Sequence, residues 1–116
     1  MKQTPYEFCV EVNNEAIKAY EGLSAAKSFV PVEGFFDAKR YIDGMEDYEK
    51  GRTDCLAYII DTAAPEYRNI YDFVASAINP EDLKPVLSPA EFKNIKQFVR
   101  KMRTLSNRVQ RFEAAL

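Results

Sequence analysis

Histidine and tryptophan are absent from this chain of 116 residues. Without histidine, the usual general base at neutral pH and the commonest metal ligand are both missing. Cysteine occurs only at Cys9 and Cys55, too few for a disulfide framework and not as a Cys-x-x-Cys pair. The two read as small buried apolar residues of a reduced compartment. Glycine appears four times, at Gly22, Gly34, Gly44 and Gly51, and nowhere as a phosphate-cradling loop. A Ser or Cys nucleophile would need Lys or a carboxylate as its base, and no spacing here suggests one. The longest apolar runs, such as Leu56-Ala57-Tyr58-Ile59-Ile60, fall far short of the roughly 20 residues that span a bilayer. Met1 to Cys9 holds no uninterrupted apolar stretch of the secretory kind. The expectation is a cytoplasmic, non-enzymatic protein with no membrane contact, no metal and no cofactor.

What is present fits one domain of 13.3 kDa over residues 1–116. Apolar residues at 47% and charged residues at 29% are ordinary for a globular chain. The formal charge of −2 excludes a nucleic-acid binder that works through overall positive charge. That total hides an asymmetry. Residues 1–87 carry 9 Lys/Arg against 16 Asp/Glu, a net of −7, whereas residues 88–116 carry 7 against 2, a net of +5.

Helix-start signals recur along the chain. Thr4-Pro5-Tyr6-Glu7 and Ser88-Pro89-Ala90-Glu91 read as capping boxes, in which the hydroxyl accepts an N–H and the Glu reaches back. Asn79-Pro80-Glu81-Asp82 is a third start, with proline at the first helical position and two acids at the positive helix end. These predict an all-α fold, a compact bundle of four to five helices with a long C-terminal one. The first helix is expected from Pro5 to Ala26; a short strand over residues 6–12 competes, because Phe8, Val10 and Val12 alternate with Glu7, Cys9 and Glu11. The second is expected from Phe35 to Lys50, with Gly44 inside it, Gly51 as its stop, and Asp43 stacked on Asp47 one turn away. A third begins near Thr53 or Asp54. Pro65 either starts a fourth or kinks a continuous one, and a short turn follows at Glu81 to Lys84.

The last segment is the longest. Ile95, Met102, Val109 and Leu116 repeat every seven residues, with Phe98, Leu105 and Phe112 three after the first three. At 1.5 Å per residue this helix is about 40 Å long. A globule of this size has a radius of gyration of about 13 Å, so either the other helices stack along the rod or a second copy covers it. Lys93, Lys96, Arg100 and Arg103 share the face opposite the apolar seam, Asn107 and Arg111 continue the line, and Lys101 and Arg108 flank it. Like charges three or four apart weaken a helix by a few tenths of a kcal/mol per pair. Three readings compete for this ridge: a solvated face, a site for an anionic partner, or an internal or intersubunit match in which the acidic body of the same protein meets it.

All seven tyrosines lie within the first 71 residues. Tyr67 and Tyr71, one turn apart on a helical reading, frame Arg68, and Tyr-Arg combinations make frequent interface hot spots. Glu11 and Glu15 also stand one turn apart, but no Glu-x-x-His accompanies them, which excludes a di-iron carboxylate bundle.

Leu87-Ser88-Pro89-Ala90-Glu91-Phe92 resembles the hairpin helices of phage proteins that sequester cyclic oligonucleotide signals. The resemblance covers under a quarter of the chain and carries no site residue across; it implies small-ligand sequestration as one function to weigh. The favoured reading is a binding or adaptor protein that occupies a protein partner and self-associates. Lys93, Lys96, Arg100, Arg103 and Arg111 would supply electrostatic recognition. Tyr67, Arg68, Tyr71, Phe98, Met102, Leu105, Val109 and Phe112 are the candidates for packing or an interface. The alternatives are an oligomeric binder of small anions or nucleotides, and an accessory protein that touches nucleic acid through the basic helix.

Overall fold

Side-chain caps open four helices. Thr4, Asn69, Asn79 and Ser88 each accept a backbone N–H from the first turn that follows, satisfying donors that a helix start otherwise leaves unpaired. A computed structural model describes residues 3–116. Its helices are α1 (Pro5–Glu21), α2 (Glu33–Asp43), α3 (Asp54–Asp61), α4 (Ile70–Ala77), α5 (Pro80–Leu83) and α6 (Pro89–Ala114). Tighter 3-10 turns lie at Ala25–Phe29, Asp47–Glu49 and Lys84–Val86. Among the described residues there is no strand, and residues 6–12 are helical. No described helix is long and apolar enough to cross a membrane.

Six helices replace the expected four to five. The Pro65 region is a non-helical link between α3 and α4, and the turn at residues 80–83 is a helix of its own. Two boundaries also move. The first helix stops at Glu21 rather than Ala26, capped by the Gly22 N–H on the carbonyls of Lys18 and Tyr20. The second stops at Asp43, where the Gly44 N–H returns to Arg40 and Ile42. Gly44 is therefore a terminus and not an interior residue, and Gly51 stops nothing. Glycine's poor helix propensity favours the break, and the chain turns there to bury Met45. As a result Asp43 and Asp47 do not share a helix face.

The α6 seam is used inside the chain. Ile95, Met102, Leu105 and Val109 are fully buried and Phe98 nearly so, each burial contributing about 1.5–3 kcal/mol. α4 and α1 pack along α6, with α5 and the 25–29 turn over its first part. The molecule is correspondingly elongated, 49 × 27 × 24 Å. The seam ends at Phe112, half-buried and stacked on Phe8 at 4.1 Å between ring centroids, whereas Leu116 is exposed. α2 and α3 pack on another part of α1 and on each other. Around α1, Phe8, Glu11 and Glu15 turn to α6, while Asn13 and Tyr20 turn to α2 and Cys9 to Cys55 of α3.

A buried polar network fixes the helices against one another. The Asn13 side-chain amide donates to the Phe35 carbonyl at 2.8 Å, and the Tyr71 hydroxyl donates to Asn13 Oδ1 at 3.0 Å. Asn69 accepts from the N–H groups of Tyr71 and Asp72 and donates to the Ser106 carbonyl of α6. Buried polar groups stabilise only when paired, so these bonds select one docking of α1, α2, α4 and α6.

Candidate functional site

Ser88 caps α6 by accepting the Glu91 N–H at 3.1 Å, but the reciprocal half of the predicted capping box does not form. The Glu91 carboxylate turns away to the 25–29 turn. It accepts the N–H groups of Ser24 at 2.6 Å and Ala26 at 3.0 Å, and the Asn94 amide at 3.2 Å. The bonds from Ser24 and Ala26 hold its carboxyl below the ordinary range. Sequence reasoning missed this role, since the capping pattern named the wrong partner for the same side chain. By contrast the Thr4–Glu7 box has both halves.

With its start clamped, α6 presents one outer face. Lys93, Lys96, Arg100, Arg103, Asn107 and Arg111 are all exposed there. The line from Lys93 to Arg111 is about 27 Å long at 1.5 Å per residue. Among the described residues none of its five cations forms an ion pair. Lys96 lies over the Phe92 ring at 4.5 Å, and Lys84 lies over the same ring at 5.5 Å. The flanking cations behave differently. Lys101 binds Glu15 at 2.7 Å, and Arg108 forks between Glu15 at 2.7 Å and Glu11 at 3.1 Å. Hydrogen bonds from Lys101 and then Arg108 lower the Glu15 pKa. The match to the acidic part of the chain thus consumes the flank and leaves the ridge itself free.

The other candidates do not assemble with this face. Tyr67 lies in the link before α4, edge-on to Phe73 with 5.2 Å between ring centroids, and its neighbour Arg68 bonds Gln110 and pairs with Asp72. Tyr71 is on α4, wholly buried, so it shares no exposed face with Tyr67; burial pushes its phenol well above the ordinary pKa. The link at Pro65 breaks the helical spacing that would have joined them. Phe98, Met102, Leu105 and Val109 are likewise core residues, with Phe112 at the core's edge. A groove of about 280 Å³ beside α6, between Gly22, Leu23, Asn94, Gln97, Phe98 and Lys101, includes none of the five ridge cations. The ridge is a line of charge along one helix face; only its far end borders a hollow, an open one of about 500 Å³ lined by Asn107, Gln110, Arg111, Glu113 and Ala114. No protein-family model, curated protein or solved structure matches this chain.

Proposed function

We propose that this chain is a non-enzymatic binding module that docks the α6 ridge against an acidic surface of a protein partner. One observation carries the reading: five exposed cations share a face with no ion pair among the described residues, beside two flanking cations that are paired. Neighbouring like charges on the ridge cost the free helix a few tenths of a kcal/mol per pair. An anionic partner relieves that cost. An exposed, charged face with little apolar surface suits fast, salt-sensitive and transient association rather than a permanent interface.

An acidic protein patch fits better than duplex nucleic acid. A duplex is a continuous polyanion that extends past the ridge toward a body of net −7, whereas a protein patch need match only the ridge. A small anion is less favoured, because only Arg111 of the ridge cations lines a hollow, an open one that it shares with Glu113. Action in the reducing cytoplasm belongs to the same reading, supported by two free thiols buried side by side.

The test uses fluorescent poly-glutamate and a short DNA duplex as probes, read by anisotropy at about 0.05 M and about 0.5 M salt. The expected result is weak binding of poly-glutamate that falls as salt rises and drops about tenfold or more in the Lys96→Glu/Arg100→Glu variant. Equal poly-glutamate binding by wild type and variant overturns the ridge as the site. Tighter, ridge-dependent binding of the duplex overturns the protein partner.

A further inference from the structure

We infer that the acidic surface this ridge fits is carried by a second copy of the chain, docked head to tail. The inference rests on the ridge reading above and names its partner. Residues 33–66, which form α2, α3 and their links, hold 9 Asp/Glu against 4 Lys/Arg, a net of −5. The segment that forms α6 holds a net of +5. These opposite charges do not neutralise each other within one molecule. α1 stands between them, turning Phe8, Glu11 and Glu15 to α6 and Asn13 and Tyr20 to α2. A rigid ridge on one side cannot reach the acidic face on the other. Intermolecular contact brings them together.

The acidic face also has a place to receive a basic side chain. A cleft of about 190 Å³ opens between the start of α2, the end of α3 and α4. Ile70, Phe73 and Val74 form an apolar floor, and Glu33 and Asp37 stand on one lip. Gly34 keeps the lip low, since a Cβ there would come to 3.6 Å from Ile70. Asp61, exposed, precedes Thr62 on the other lip. Asp37 is held by Arg40, but Glu33 and Asp61 form no ion pair among the described residues. Lysine and arginine bury an apolar stem while keeping the charged head beside polar groups. A ridge side chain laid over this floor meets Glu33 with its charge, and Asp61, next in the chain to the lining residue Thr62, adds to the negative charge of that side.

Each copy then has one donor face and one acceptor face, a heterologous contact that adds copies rather than closing on itself at two. This geometry is tested by two charge-reversed variants at exposed positions, with solution mass followed by sedimentation equilibrium at low salt. Wild type should rise above 13.3 kDa with concentration and return to monomer at about 0.5 M salt, where charges are screened beyond a few Å. Lys96→Glu/Arg100→Glu loses the ridge, Glu33→Lys/Asp61→Lys loses the acidic face, and each alone should stay monomeric. Their mixture should regain mass above the monomer, because the intact ridge of one variant meets the intact acidic face of the other, and the two reversed surfaces are again opposite in charge. Circular dichroism checks folding, and Lys96→Gln/Arg100→Gln and Glu33→Gln/Asp61→Gln replace any variant that fails to fold, each expected to lose mass.

Wild type that stays monomeric at every concentration overturns the inference. So does an acidic-face variant that associates like wild type, or a mixture of folded charge-reversed variants that remains monomeric. Poly-glutamate separates this failure from failure of the ridge reading. If the acidic-face variant binds poly-glutamate as wild type does while wild type is monomeric, the ridge reading stands and only self-association falls.

Discussion

Replacing Glu91 tests the joint that holds α6 to the rest of the chain. Its carboxylate accepts two backbone N–H groups from residues 65 and 67 positions away, and the side chain is 7% exposed. Hydrogen bonds to a charged group contribute about 1.5–3 kcal/mol each, and two donors left without a partner lose part of that to desolvation. Glu91→Ala should therefore cost about 3 kcal/mol, allowing for water reaching the N–H of Ser24, an exposed residue. Glu91→Gln keeps one acceptor oxygen and loses the charge, so it should cost about 1–2 kcal/mol. Urea denaturation followed by circular dichroism measures both. The pH dependence supplies a second handle. The folded pKa lies below the unfolded value, so the charged form contributes stability that is present above pH about 4.3 and lost as pH falls through the lower folded value. The gap between wild type and Glu91→Gln should accordingly narrow below about pH 4. An alanine variant within about 0.5 kcal/mol of wild type, or a gap to the glutamine variant that is flat with pH, refutes this role for Glu91.

Three further outcomes follow from the interior. Tyr71→Phe strands Asn13 Oδ1 without its donor and should cost about 1–3 kcal/mol in the same denaturation assay. Ser106 Oγ is buried with no hydrogen-bond partner among the described residues; Ser106→Ala removes the unpaired group and should raise stability by about 1 kcal/mol. Cys9 and Cys55 are wholly buried and burial raises both thiols above their ordinary values. Neither should react with a thiol reagent such as dithionitrobenzoate until the chain unfolds, which absorbance with and without urea reads directly.

Helix starts were the most legible part of the chain, because a cap acts within four residues. Thr4, Asn79 and Ser88 each open a helix where their pattern places one. The Ile95–Phe112 seam and the Lys93–Arg111 ridge were legible for a related reason, since period and face are properties of a single helix. Helix ends read less well. Gly44 stops α2 and Gly22 stops α1, yet the hydrophobic spacing ran on past both. There the chain changes direction to bury Met45 and Leu23, and spacing alone does not say whether an apolar residue is reached by a helix or by a turn. Tyr67 and Tyr71 show the same weakness, since the Pro65 link carries one outside and the other into the core.

Local chemistry along the chain thus determined the helical class, the caps, and an α6 with an apolar and a cationic edge. Tertiary structure alone decided which charges are spent. Lys101 and Arg108 find Glu15 across separations of 86 and 93 residues, and Glu91 finds Ser24 across 67. Such pairings depend on how whole helices dock, and docking is set by the summed packing of the core rather than by any short run of residues. The free ridge is what remains after those distant partners have met.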